Sequence, residues 1–191
     1  LIINVSTRTS LCQLKYYQHD FKAMGTPCAV QLYAKTHVKA KRAAAKVVED
    51  VSRLELLYSR YREDSFLSEI NRVAAMGGSI TVDAETAGLL DYAATCYQQS
   101  DGLFDITSGL LRQAWDFKSG EVADETVINS LLDRIGWDKL YWQSPVLEFL
   151  VAGMEIDFGG VVKEYAVDRA ATLCLGMGIQ HGIVNLGGDI K

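Results

Sequence analysis

The sequence has no CxxC pair, no cluster of histidines, no surplus of positive charge and no long apolar run, and each absence removes a class of function. Cys12, Cys28, Cys96 and Cys174 are far apart, and His19, His37 and His181 are scattered, so no zinc-ligand spacing is present. Each cysteine reads as a small buried hydrophobe. The 19 basic residues fall short of the 24 acidic ones, for a net charge of −5. Non-specific nucleic-acid binding needs a basic face and is excluded. A polyanionic small molecule is not, because a few backbone N–H groups and a metal can hold a pyrophosphate without net positive charge. No stretch approaches the ~18 apolar residues of a membrane span. The opening Leu1-Ile2-Ile3-Asn4-Val5 is too short for a signal-peptide core. Leu11-Cys12 carries a bulky leucine where a lipoprotein cleavage site does not take one. Internal repeats, low-complexity tracts, a Ser/His/Asp or Cys/His set, GxGxxG and a Walker loop are all missing.

What is there is enough for a core: 191 residues, 49% of them hydrophobic. A chain of this length buries roughly 70% of its unfolded surface. Residues 18–34 alternate apolar and polar around a break at Gly25-Thr26-Pro27, which predicts two short strands or one bent strand. Thr36 caps a long helix whose stripe is Val47, Val48, Val51, Leu54 and Tyr58. A second helix follows the Ser65 cap and ends near Gly77-Gly78; Ile80-Thr81-Val82 is a brief strand, and Asp83 caps a third helix that stops at Ser100-Asp101-Gly102. Residues 103–117 read as a loop with a short helical turn, and Asp124 caps a helix to about Arg134. Strands are expected over 139–143, 146–151 and 154–158, then a helix over 161–177 that buries Val162, Ala166, Ala170, Leu173 and Cys174. Leu186 and its neighbours read as an interior strand without its partners, an arrangement that invites association. Helices and strands mix without strict βαβ order, so the class is α+β. The expected organisation is an extension over 1–17 and one domain over 18–191.

Chemistry gathers in the turns. In Ile156-Asp157-Phe158-Gly159-Gly160-Val161-Val162-Lys163 a strand ends, two glycines follow and a helix begins. The glycines permit positive φ and let the backbone approach a ligand closely. The helix start offers unsatisfied N–H groups and a positive dipole end, with Lys163 in its first turn. Asp157 is placed to accept from a ring N–H or ribose hydroxyl, or to face a metal; the alternative is a plain tight turn with Lys163 in solvent. Met24, beside Gly25, suits either an aromatic ligand face or the core. The run Tyr58-Ser59-Arg60-Tyr61-Arg62-Glu63-Asp64-Ser65 holds two tyrosines and two arginines, either a stacking surface or a solvated loop with weak surface ion pairs. Phe104, in Gly102-Leu103-Phe104-Asp105, is a third wall or core. Together these turns suggest a large, flat, anionic ligand such as a dinucleotide.

Five segments then resemble the ApbE-type FAD:protein FMN transferases. They are Phe21-Lys22-Ala23-Met24-Gly25-Thr26-Pro27; the run from Tyr61-Arg62-Glu63-Asp64-Ser65 through Asn71; Gly102-Leu103-Phe104-Asp105-Ile106-Thr107-Ser108-Gly109; the glycine turn with its continuation to Asp168; and Val184-Asn185-Leu186-Gly187-Gly188-Asp189-Ile190. The resemblance spans residues 21–190 in the family's order. It implies an α+β, ApbE-like (T-fold-like) arrangement of mixed helices and antiparallel sheet around an FAD site. Met24, Tyr61, Leu103, Phe104, Asp105, Asp157 and Lys163 would contact FAD, and Gly160 would give a backbone oxygen to Mg²⁺. Glu164 departs from the glycine of many members and is expected to face solvent. The resemblance further implies FAD as substrate, Mg²⁺ dependence, and a partner protein carrying an acceptor threonine, such as a subunit of a sodium-pumping or electron-transport redox complex. Family members are often exported, some as lipoproteins. The family's other metal ligands and a histidine proposed for catalysis fall beyond Lys191, so no catalytic base is expected within residues 1–191. Those residues alone are expected to bind FAD weakly and to turn none over. A FAD pyrophosphatase and a non-catalytic FAD-binding protein are the rival readings.

Overall fold

Two antiparallel sheets and five α-helices are described in the computed structural model, which covers residues 14–115 and 123–191. The Leu1–Val5 opening, Leu11-Cys12, Phe117 and most of the expected 1–17 extension lie outside the described residues. The chain divides into two units: residues up to Val51 with Val167–Lys191, and Ser52–Ala166.

In the first unit, β1 (Lys15–Ala23) and β2 (Thr26–Ala34) form a hairpin in register from Lys15↔Ala34 to Ala23↔Thr26. Both residues of its turn have positive φ, Met24 at 51° and Gly25 at 73°, the backbone sense that matches the right-handed twist of a tight hairpin. The expected break is therefore a two-residue turn joining two strands. β6 (Gly182–Leu186) pairs antiparallel with β2 and with the short β7 (Asp189–Ile190), so the sheet order is β1-β2-β6-β7. Leu186 thus lies on a strand flanked on both sides, correcting the expectation of an interior strand without partners. Ala43, Val47 and Val51 of α1 (His37–Tyr58) are buried with Val30 and Leu32 of β2, Val184 of β6, and Val167, Ala170 and Cys174 of α5 (Val162–Gly176). Thr36 caps α1 as expected, its Oγ1 accepting from Lys39 N at 3.3 Å. Arg169 grips Asp50 through two hydrogen bonds of 2.7 and 2.9 Å. Val48 and Leu173, expected in the buried stripes, are only half-buried.

The second unit is built on capped helices. Ser65 Oγ accepts from Ser68 N at 3.0 Å and starts α2 (Phe66–Met76); Asp83 Oδ1 accepts from Thr86 N at 2.7 Å and starts α3 (Ala84–Gln99). Asp124 starts α4 (Glu125–Leu132) in the same way. Such caps satisfy the first free N–H groups and are worth about 1 kcal/mol each. The second sheet has the order β3-β5-β4, from β3 (Gly78–Thr81), β4 (Leu140–Gln143) and β5 (Val146–Phe149). Within the expected loop, residues 103–115 hold more order than expected, with a 3₁₀ helix over Ile106–Ala114.

The third expected strand is not one. Residues 154–158 belong to no sheet, although Met154, Ile156 and Phe158 are fully buried, as in a strand with one inner face. Their backbone is satisfied otherwise. Ile156 N donates to Asn71 Oδ1 (2.9 Å), Asn71 Nδ2 donates to Ile156 O (3.0 Å), and Asp157 N donates to Ile106 O (2.9 Å). Alternation records which side is buried; the Asn71 amide of α2 stands where a neighbouring strand would.

Candidate functional site

Because the side-chain period of an extended segment is two, residues 155 and 157 point away from the buried Met154, Ile156 and Phe158. Each of these carboxylates meets an arginine. Arg112 of the 3₁₀ helix donates Nε to Glu155 Oε1 (2.6 Å) and Nη2 to Oε2 (3.1 Å). Arg60, in the turn after α1, donates Nη1 to Asp157 Oδ2 at 2.7 Å. Hydrogen bonding to Tyr61, with Asp157 adding to it, pushes the Arg60 pKa up; Glu155 does the same for Arg112. Both guanidinia face a cleft of about 380 Å³, a size at the lower end of the roughly 300–1,000 Å³ seen for small-molecule sites.

The other walls come from the two predicted turns. Asp101 (φ 53°) and Gly102 (φ 80°) take left-handed backbone at the end of α3 and turn the chain toward Leu103. Ser100 Oγ accepts from Phe104 N at 2.8 Å, which holds the Phe104 backbone. Asp105 is committed to architecture. Its Oδ1 accepts from Thr107 N (2.8 Å) and Thr107 Oγ1 (2.7 Å), and its Oδ2 accepts from Trp137 N (3.0 Å). Asp157 Oδ1 likewise accepts from Gly159 N at 2.9 Å.

The glycines act by size. Neither Gly159 nor Gly160 uses the positive φ that a glycine permits. A Cβ on Gly160 would lie 2.9 Å from the Phe104 ring, and one on Gly109 would lie 2.7 Å from Asp157 Cβ. The walls touch because these side chains are absent. The start of α5 also differs from expectation, since Phe158 O accepts from both Val161 N and Val162 N at 2.9 Å, leaving neither for a ligand. Glu164 is exposed, as expected.

The cleft brings together Leu103, Phe104, Asp105, Asp157 and Gly160 of the expected site residues. Tyr61 joins through Arg60, whose Nη2 donates to the phenol oxygen at 2.9 Å and whose guanidinium sits 5.0 Å from the ring centre. Lys163, half-buried in the first turn of α5, is not among the lining residues, and Met24 belongs to the first unit, at the β1–β2 turn. Sequence reasoning assigned no role to Arg60, Arg112, Glu155 or Asn71. The only signal for Glu155 was its position, with Asp157, on the polar side of residues 154–158.

Tyr61 and Leu103 are 84% and 92% exposed, and exposed large side chains around a cleft suit contact with a flat ring. The described residues do not by themselves fit Mg²⁺, which takes about six oxygens. Gly160 offers one carbonyl, the Asp157 carboxylate is engaged by Arg60, and no three His, Cys, Asp or Glu side chains come together among the described residues.

Comparison with known proteins places this geometry. The model of the ApbE family matches residues 24–191. A Treponema pallidum protein is 24% identical over 200 residues, covering 100% of this chain and 55% of that protein. A Chlamydia pneumoniae protein is 33% identical over 143 residues, covering 73% and 45%. Both are named FAD:protein FMN transferase. The crystal structure of the ApbE protein from Thermotoga maritima superposes with a TM-score of 0.82 at 26% identity, covering 93% of this chain and 58% of that one. The apo Pseudomonas stutzeri flavinyl transferase ApbE gives 0.82 at 24%, covering 94% and 58%, and shows the same mixed helices and antiparallel sheets. The chain spans about half the length of the curated relatives it matches.

Proposed function

Because the chain belongs to the ApbE family, we propose that its protein is an FAD:protein FMN transferase, moving FMN from FAD to a threonine hydroxyl of a target flavoprotein. The observation that carries this reading is the cleft, where Leu103, Phe104, Asp105, Asp157 and Gly160 converge from separate turns. The relatives' shared name supports the reaction. In this reading residues 18–191 act as one flavin-binding domain after the 1–17 extension, and Met24 and Lys163 contact FAD with the cleft residues.

The threonine oxygen attacks the phosphorus on the flavin side of the pyrophosphate. A new P–O bond forms to threonine, the bond to AMP breaks with its electron pair going to AMP, and the hydroxyl proton passes to a base. The residues of this chain bind and orient. Tyr61, Leu103 and Phe104 offer apolar faces to the rings, and the Asp157 carboxylate accepts from a donor on the nucleotide. Holding the reactants in place supplies much of such a rate enhancement. Mg²⁺ dependence is part of the reading, with Gly160 giving one backbone oxygen.

Incubation of the full-length protein with FAD, Mg²⁺ and a threonine-bearing acceptor tests it. The expected product is acceptor heavier by FMN, with AMP released in equal amount. Free FMN with unlabelled acceptor makes the protein a pyrophosphatase, and intact FAD makes it a binding protein.

A further inference from the structure

Arg60 joins the exposed Tyr61 to the floor of the cleft, through hydrogen bonds of 2.9 Å to the phenol oxygen and 2.7 Å to Asp157 Oδ2. Its guanidinium also lies against the Tyr61 ring. Asp157 is held from the other side by Gly159 N at 2.9 Å, and its backbone N–H is tied to Ile106 O. Two of the carboxylate's roughly four acceptor directions are thereby used, and those remaining can take only a donor. A phosphate has none to give at neutral pH. A ring N–H, an exocyclic amine or a ribose hydroxyl does.

We propose that Arg60 is the positioning residue of this cleft, fixing the Asp157 carboxylate and the Tyr61 ring in one arrangement so that a donor-bearing face of the nucleotide meets both. The inference rests on the reading that FAD occupies the cleft. Arg60 acts through its two partners, a carboxylate and a phenol that its guanidinium reaches from separate nitrogens. A planar fork reaches both at once, while the single ammonium of lysine keeps the charge and cannot hold the two in register.

The test is FAD affinity, read from flavin fluorescence, together with KM and kcat for FAD, on full-length protein carrying R60A, R60K, D157N, Y61F and the R60A/D157N pair. R60A and D157N are each expected to weaken FAD binding about tenfold or more. The double variant is expected to lose little beyond D157N alone. R60K should resemble R60A, and Y61F, at a surface-exposed side chain, should lose affinity a few-fold with its melting temperature unchanged. In all of these KM rises while kcat at saturating FAD holds, a split that a general loss of folding does not produce. R60A binding FAD within twofold of wild type, R60K matching wild type, or strictly additive losses in the double variant each overturn the inference and leave the functional reading standing. Failure of the unsubstituted protein to bind FAD removes both.

Discussion

Gly109 and Gly160 carry the same demand on different terms. A Cβ on Gly109 meets Asp157 Cβ at 2.7 Å and Asp157 N at 3.3 Å, atoms bound into a buried segment that cannot move aside. A Cβ on Gly160 meets the outer edge of the half-buried Phe104 ring at 2.9 Å, and a ring can turn. Gly109→Ala is therefore expected to cost about 1–3 kcal/mol in stability, as overpacking does, and to lower FAD affinity by moving Asp157. Gly160→Ala is expected to leave the melting temperature nearly unchanged while affinity falls several-fold. Urea unfolding beside FAD titration separates the two; equal stability losses would mean the Phe104 ring is as fixed as the Asp157 backbone.

At the scale of elements, the segment over residues 154–158 is held in a strand-like shape by one side chain of α2. Asn71 both donates to and accepts from Ile156, satisfying two backbone groups that are deeply buried. Asn71→Ala strands both, and each unsatisfied buried group costs about 1–3 kcal/mol. The expected result is a loss at the upper part of that range by chemical denaturation. Asn71→Asp, which keeps the acceptor and loses the donor, should fall between. Because residues 155 and 157 ride on this segment, both variants should also weaken FAD binding. A stability loss with affinity intact would show that the cleft is positioned by its ion pairs alone. Arg60–Asp157 and Arg112–Glu155 are those pairs.

For the molecule as a whole, pH sets a limit through Tyr58 in the second unit. Its hydroxyl is buried against Thr86 Oγ1 at 2.9 Å and its ring packs edge-on against Phe158. Burial pushes its pKa from 10.0 to about 12. The unfolded chain releases this proton first. The contribution to stability is thus complete below pH 10 and is lost as pH rises from there through about 12. Unfolding free energy is expected to fall across that window. Tyr58→Phe should flatten the fall, although it leaves Thr86 without its phenol partner and lowers stability at neutral pH. An unchanged alkaline slope in the variant would assign the loss to another group.

Much of the fold was legible in local signals. Thr36, Ser65, Asp83 and Asp124 each mark a helix start by side-chain chemistry acting within three residues, so the sequence alone locates them. The turns at Met24-Gly25 and Asp101-Gly102 are local for the same reason. The order of the five segments, with their residue types, was likewise enough to point to the family. Pairings between distant residues decided the rest. Nothing near Met154, Ile156 and Phe158 says whether their backbone finds a strand or, as here, an asparagine on α2. Nothing in the run around Arg60 says that its partner is Asp157, 97 residues on. Nor does Gly160 announce that its missing side chain makes room for Phe104 and is not there for a positive φ. Helix caps and tight turns depend on neighbours along the chain, whereas the cleft depends on which segments meet, and only the tertiary structure decides that.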